Sequence, residues 1–298
     1  MDHTSLFVIF TLHFLKSVVH LKCVSEVIFV SNIIFHDKYI RDWMRAFPLG
    51  NGRIGAMLYG DPHKETIEIN EESLWSGKQL KEKCAADPQT LNKIRELLFE
   101  EKYGEASALC TDPFLACPPR VRFYESFGEI LIDFADKSDY TDYRKELDLG
   151  KAVATVSYVK NGVSYRSETF ISEKYDCLVY KLKTENGNFS CRVSMERGQD
   201  AVTAAPDTDT LLLDGQIFCP AHEYYGGEFL GMKFGARLCV LSNGSMVNDQ
   251  NGITASDATE MVIYAAFSTT YDIEKFDFDN SIDYQKRNTV GKTRRYRI

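Results

Sequence analysis

The sequence predicts a mainly β fold, a large antiparallel β-sandwich carrying a short helical insert. Three observations lead there. From Ala152 onward, apolar and polar residues alternate over short runs, the period of strands whose two faces meet different surroundings. Turn residues, Asn-Gly pairs above all, punctuate those runs at intervals that suit a sandwich better than βαβ units. One helical pattern alone, beginning at Asp87, interrupts the series.

Residues 1–40 form an uncertain opening. The stretch 6–35 is apolar, but Lys16, His20, Lys22 and Glu26 break it before it reaches the length of a membrane span. Residues 6–15 have the length of a leader's apolar core, yet no basic start precedes them and no small-residue cleavage site follows. Two readings stay open, a leader-like segment or a start outside the natural fold, and the compartment is left unassigned. The sandwich domain is expected over residues 41–270.

Its first motif is Ala46-Phe-Pro-Leu-Gly-Asn-Gly-Arg-Ile-Gly-Ala-Met57, a glycine-rich turn entering a strand. The glycines permit tight backbone geometry, while Asn51 and Arg53 present polar groups able to orient a neighbouring loop or a sugar hydroxyl. The Gly50, Gly52, Gly55 spacing mimics a dinucleotide fingerprint, but it precedes a strand instead of opening a helix, and no Lys-Ser/Thr end makes it a phosphate loop. The second motif is Ile69-Asn-Glu-Glu-Ser-Leu-Trp-Ser-Gly77. Residues 65–69 read as a strand whose end delivers Asn70, Glu71, Glu72 and Trp75 into a loop. An acid pair beside a tryptophan suggests glycoside chemistry, since glycosidases use two carboxyl groups and sugars stack on aromatic faces. Adjacent acids diverge, however, and cannot span the roughly 6.5–9.5 Å of an inverting pair. No catalytic residue is therefore assigned. Asn51, Arg53, Asn70, Glu71 and Trp75 are candidates for a substrate rim or a domain interface, with turn stabilisation and core packing as their alternative role.

Asp87 suits a helix N-cap and Pro88 the first helical position, after which Leu91, Ile94, Leu97 and Leu98 recur at helical spacing. This stripe is expected to pack on a sheet, and Tyr103, Ala106 and Leu109 to continue as a second short helix after a break near Gly104. Runs 152–159 and 163–171 form the clearest hairpin, joined at Asn161-Gly162, because both residues tolerate the positive φ of a type I′ turn. Asn186-Gly187 separates runs 177–183 and 189–195, Asn243-Gly244 follows run 232–241, and the last strong strand is 260–268. Residues 271–298 read as a linker or tail, acidic between Asp272 and Asp283 and basic from Lys286 to Arg297, and solvated throughout.

A hydrophobic fraction of 44% with 26% charged residues excludes a disordered or membrane-embedded chain. The net charge of -8 disfavours nucleic acid and anionic membranes as partners, because both need a positive field. Eight cysteines show no C-x-x-C spacing, so no metal and no cofactor is expected. Cys177, Cys191 and Cys239 lie in apolar runs and read as small buried hydrophobes. Cys110 and Cys117 flank a loop and are placed for a disulfide in an oxidising compartment. Tyr224-Tyr225-Gly226-Gly227 has two readings, an exposed aromatic platform for sugar or, the commoner case, tyrosines buried or packed within a loop.

The succession of motifs resembles glycoside hydrolase family 95, the α-L-fucosidase family. Trp43, Pro48-Leu-Gly-Asn-Gly-Arg-Ile-Gly-Ala-Met57, then Asn70-Glu71 with Leu74-Trp-Ser-Gly77, are similar to its opening signature. Ile94-Arg-Glu-Leu-Leu-Phe99 with Tyr103, Phe127-Gly-Glu-Ile-Leu-Ile-Asp-Phe134, Tyr143-Arg-Lys-Glu-Leu-Asp-Leu149, Tyr165-Arg166, Gly231-Met-Lys-Phe234 and Ala265-Ala-Phe-Ser-Thr269 follow in order. The resemblance implies a β-sandwich that precedes an (α/α)6 barrel, the barrel carrying the acid, the base and the assisting Asn. In the complete enzyme it implies inverting hydrolysis of terminal α-1,2-linked fucose, without a metal, with a fucosylated glycan as substrate and the barrel as intramolecular partner. This chain is expected to stop before that barrel and to be inactive alone. The segment Lys38-Tyr-Ile-Arg-Asp42 departs from the family's Pro-Ala approach to the tryptophan and leaves the first strand without its usual support. The rival expectation is a non-catalytic β-sandwich module that binds carbohydrate or another domain.

Overall fold

The computed structural model describes residues 32–78, 87–114 and 120–287. The chain opens with strands β1 (Ile33–His36), β2 (Phe47–Gly50), β3 (Ile54–Leu58) and β4 (Lys64–Glu71), followed by helices α1 (Pro88–Phe99) and α2 (Tyr103–Phe114). A long β series comes next: β5 (Gly128–Phe134), β6 (Thr141–Asp148), β7 (Val153–Lys160), β8 (Val163–Ser172), β9 (Cys177–Glu185), β10 (Phe189–Glu196), β11 (Ala201–Asp207) and β12 (Thr210–Cys219). It continues with β13 (Phe229–Ser242), β14 (Ser245–Asn248), β15 (Gly252–Ala258) and β16 (Glu260–Thr269), and closes with β17 (Tyr271–Asp272), β18 (Asp277–Phe278) and helix α3 (Tyr284–Arg287).

Among the described residues these strands make two large antiparallel sheets. One runs β1-β6-β7-β8-β9-β16-β13-β12-β11, the other β14-β15-β10-β5-β4-β3-β2. The expected mainly β sandwich with a helical insert is thus the fold observed. Alternation does what its period requires. In β7, Ala154, Val156 and Tyr158 are buried while the residues between them are not. One shared core forms where the two inner faces meet, filled by Leu58, Ile67, Ile130, Val193, Phe234 and Phe267. Each such side chain contributes roughly 1.5–3 kcal/mol by leaving water.

The Asn-Gly turns do two different jobs. Asn161 and Gly162 both have positive φ, 49° and 79°, and close the β7–β8 hairpin as the sequence indicates. Asn186-Gly187 instead carries the chain from β9 in the larger sheet to β10 in the smaller one, and Asn243-Gly244 does the same from β13 to β14. Sequence spacing cannot separate a hairpin from a corner, because both need the same backbone reversal.

Three expectations are corrected. Asp87 does cap α1, accepting the Thr90 N–H at 2.8 Å, but the apolar stripe does not close on a sheet. Ile94 and Leu97 bury themselves with Ala106 of α2, while Leu91 and Leu98 stay exposed. The expected break near Gly104 is present, centred on Glu101, whose φ is 62°, and Tyr103, Ala106 and Leu109 do continue as a second helix. Strand β1 exists despite the unusual segment after it, pairing Ile33 with Asp148 and His36 with Lys145. Edge pairing is a main-chain interaction and survives that change. Asp42 has a local role of its own, accepting the Met44 N–H at 3.0 Å at the start of a short 3-10 turn. Finally, residues 271–287 are not a free tail. β17 and β18 pair with each other, and Tyr284 of α3 lies across the larger sheet, donating its hydroxyl to Asp214 at 3.0 Å and accepting from Ser268 at 2.9 Å. The basic remainder from residue 288 lies outside the described residues.

Cys177 and Cys191 are buried and Cys239 half-buried. Burial pushes the Cys177 thiol up to about 11 and the Cys191 thiol up to about 12, which keeps both protonated. The Cys110–Cys117 pairing lies outside the described residues, because Cys117 does. Among the described residues no helix is long and apolar enough to cross a membrane.

Candidate functional site

The first motif folds into a hairpin, β2 to β3, whose turn is organised by Asn51. Its Oδ1 accepts the main-chain N–H groups of Arg53, at 3.1 Å, and Ile54, at 2.8 Å. Gly52 between them has φ of 97°, a conformation that glycine adopts without steric cost. This turn aims Arg53 across the gap between the two sheets. Its Nη1 donates to Glu71 Oε1 at 2.8 Å, its Nε to Asp176 Oδ2 at 2.8 Å and its Nη2 to the Phe267 carbonyl at 2.9 Å. Asp176 sits in the β8–β9 turn and also accepts from Asn51 Nδ2 at 2.9 Å. One guanidinium therefore ties the smaller sheet, through Glu71, to the larger one, through Asp176 and β16.

Glu71 is 3% exposed, and its second oxygen accepts from the Ser73 N–H at 2.9 Å and the Ser73 hydroxyl at 2.7 Å. Ser73 in turn meets Thr269 of β16 at 2.6 Å. Both carboxylate oxygens are thus occupied, and the group is walled off from solvent. Strand β4 runs on through Asn70 and Glu71, past the expected end at residue 69. Strand alternation then points the two side chains to opposite faces, so Glu71 enters the clamp while Asn70 stands exposed beside Gly55. The structure brings Asn51, Arg53 and Glu71 together and leaves Asn70 apart.

Trp75 belongs to a second assembly, a groove of about 930 Å³. It is 43% exposed, bridges to Tyr124 through the backbone, tilts its ring against Tyr124 at 5.2 Å and donates Nε1 to the Glu72 carbonyl at 3.2 Å. Tyr225, Phe229 and the β17–β18 hairpin bearing Phe276 line the same groove. Arg122 buttresses the wall, its guanidinium donating to the carbonyls of Pro220, Gly226 and Gly227 and lying 5.0 Å from the Phe229 ring centroid. Lys78 sits 4.7 Å from the same centroid. The Tyr224-Tyr225 pair divides. Tyr225 lines the groove and packs edge-on to Phe123 at 4.8 Å, while the Arg120 guanidinium lies over Tyr224 at 4.9 Å. They do not form one flat platform. Arg122, Phe229 and Phe276 carried no motif, and only the turn residues Gly226 and Gly227 marked their neighbourhood.

The most displaced acid lies elsewhere. Glu65 is 2% exposed between the sheets, and burial pushes its carboxyl up to about 8 despite hydrogen bonds from Gly60 at 2.7 Å and Thr66 at 3.1 Å. Burial also draws nearby Lys145 down to about 8, while its ammonium donates to the carbonyls of Arg45 and Tyr59. Neither lines the groove. Among the described residues no group of three or more His, Cys, Asp or Glu side chains is arranged to hold a metal ion.

A family model described as "Glycosyl hydrolase family 65, N-terminal domain" matches residues 34–274. "Alpha-L-fucosidase 2" of Arabidopsis thaliana is 28% identical over 278 residues, which are 86% of this chain and 33% of that protein. "Probable alpha-fucosidase A" of Aspergillus niger is 29% identical over 211 residues, 67% of this chain and 25% of its own length. The chain thus spans a third or less of these curated relatives. A solved structure described as "Putative kojibiose phosphorylase from human microbiome" aligns over 86% of this chain and 34% of its own, with a TM-score of 0.46 and 10% identity.

Proposed function

The chain belongs to the glycosyl hydrolase family 65 N-terminal domain family, and from that premise we propose that it serves as the non-catalytic β-sandwich of an α-L-fucosidase of the family 95 kind. The relatives named as fucosidases support the activity class. The observation that carries the non-catalytic role is the state of Glu71. Its two oxygens are held by Arg53 and Ser73 in a clamp only 3% exposed, so the acid of the most conspicuous motif is engaged in structure and shielded from a substrate.

In inverting hydrolysis one carboxylic acid protonates the leaving oxygen, while a second carboxylate activates water on the opposite face of the sugar. In this reading a helical barrel supplies both carboxyl groups and takes terminal α-1,2-linked fucose as substrate. The sandwich holds its own two sheets rigid through Arg53 and offers the Trp75 groove as an interface or rim. The test has two arms. The purified chain is expected to release no fucose from a fucosylated glycan. Replacing the corresponding sandwich of the Arabidopsis relative with residues 32–287, which keep the β17–β18 hairpin and α3, is expected to retain fucose release, and turnover by the chain alone would refute the division of labour.

A further inference from the structure

We infer that the groove between Trp75 and the β17–β18 hairpin is a binding site for a neutral oligosaccharide, holding sugar rings remote from the one that is cleaved. The inference rests on the reading above that bond cleavage happens outside this chain, and it names what this surface itself binds.

Sugars are recognised by aromatic faces that cover their C–H surfaces and by polar groups that reach their hydroxyls. Both are present. Trp75, Tyr225 and Phe276 supply the rings, with Phe229 beneath Lys78 and Arg122 as the support of the wall. Lys78, Arg120 and Arg122 contribute three positive charges, and Glu72, Glu228 and Asp277 three negative ones. This equal lining of both signs favours neither an anionic nor a cationic ligand and suits a neutral one rich in hydroxyls. A volume of about 930 Å³ lies at the upper end of the roughly 300–1,000 Å³ usual for ligand sites, room for more than one ring.

The walls are built to keep that shape. Arg122 pins the 220–227 loop by three carbonyls, so the face of Phe229 stays fixed while Tyr225 braces against Phe123. Phe276 is 67% exposed and has φ of 52°, the left-handed residue that closes the four-residue β17–β18 hairpin loop after the Lys275 N–H bonds to the Asp272 carbonyl. The turn thereby leaves an aromatic ring in solvent at the hairpin tip, where it lines the same groove as Trp75.

The full chain is titrated with lactose, with lactose carrying α-1,2-linked fucose, and with sialylated lactose, each up to about 50 mM, following tryptophan fluorescence and ligand-observed NMR. The two neutral sugars are expected to bind with affinities within about threefold of each other, and the sialylated one more weakly. Phe276→Ala and Trp75→Ala are each expected to weaken binding about fivefold, with circular dichroism checking the fold. Phe276, at the exposed tip, keeps the test alive if the Trp75 variant unfolds. Absence of binding by both neutral sugars, an absolute need for fucose, preference for the sialylated sugar, or an unchanged affinity in a folded Phe276→Ala protein would each overturn the inference. A fucose-independent affinity supports the site whether or not the sandwich-exchanged relative releases fucose, so the two readings fail separately.

Discussion

Arg53 and Glu71 meet at 2.8 Å in an ion pair whose carboxylate side is almost wholly buried, and whose guanidinium continues to Asp176 and the Phe267 carbonyl on the opposite sheet. Lysine cannot reproduce this three-way geometry, because a single ammonium lacks the planar fork. Arg53→Lys is expected to lose about 2–3 kcal/mol, since removing one partner leaves a buried charge poorly compensated. Urea unfolding should show a lower midpoint with an unchanged slope. A midpoint equal to that of the parent protein would mean that the clamp does not hold the sheets together.

Stability should depend on pH through Glu65 and Lys145. In the unfolded chain Glu65 ionises near its ordinary 4.5, whereas in the fold burial holds it up to about 8. Between those values the folded state keeps a proton that the unfolded state has lost. Its contribution is therefore complete below about 4.5 and is lost as pH rises through about 8. Lys145 acts in the opposite sense. Its ammonium is drawn down to about 8 from 10.5, so its contribution is present above 10.5 and lost as pH falls through about 8. Together they give a minimum near pH 8. Glu65→Gln keeps an acceptor for the Gly60 and Thr66 N–H groups and should flatten the descending arm, measured as the difference from the parent protein in denaturant midpoint from pH 5 to 8.

Tyr284 lies directly over Gly235. A Cβ added there would stand 2.6 Å from Tyr284 Cε2 and 2.8 Å from the Leu213 carbonyl. The Leu213 clash would strain the β12–β13 pairing as well, so the contact is better removed from the helix side: Tyr284→Ala, which also loses the bond to Asp214, is expected to free α3 from the sheet while leaving the core assembled. Trypsin should then cut at Lys286 at least about fivefold faster, as local opening predicts, with little change in global unfolding. Equal cutting rates would show that the contact does not hold α3 down.

Phe276 offers a gain. Asparagine tolerates the left-handed region far better than a bulky aromatic. Phe276→Asn should raise stability by about 1 kcal/mol while weakening neutral sugar binding. A loss of stability would mean that the ring is held by packing.

Strand positions were legible because alternation and Asn-Gly turns are local signals. What alternation could not tell was partnership. Asn186-Gly187 and Asn243-Gly244 look like Asn161-Gly162 in sequence, yet they turn between sheets. The α1 stripe shows which face is apolar but not that α2 will cover it. The candidate site divides in the same way. The motifs marked Asn51, Arg53, Glu71 and Trp75, but the clamp's meaning depends on Asp176 and on a main-chain carbonyl of Phe267, 123 and 214 residues away from Arg53. A carbonyl leaves no trace in composition. Asn70 was grouped with Glu71 by adjacency, and the strand separated them.

The span of the Arg53–Phe267 contact also has a bearing on time. Within the larger sheet β16 lies between β9 and β13, pairing Glu260 with Lys183, so this sheet stays in two parts until one of its last strands arrives. On a ribosome adding about 5–20 residues per second, Arg53 emerges roughly 10–40 s before its final partner does. Over that interval the β9 edge stands open, without the strand it will pair with, and assembly governed by such distant pairings is slow. An open edge is a template for wrong pairing, so the wait for β16 is the interval in which misassembly threatens this polypeptide.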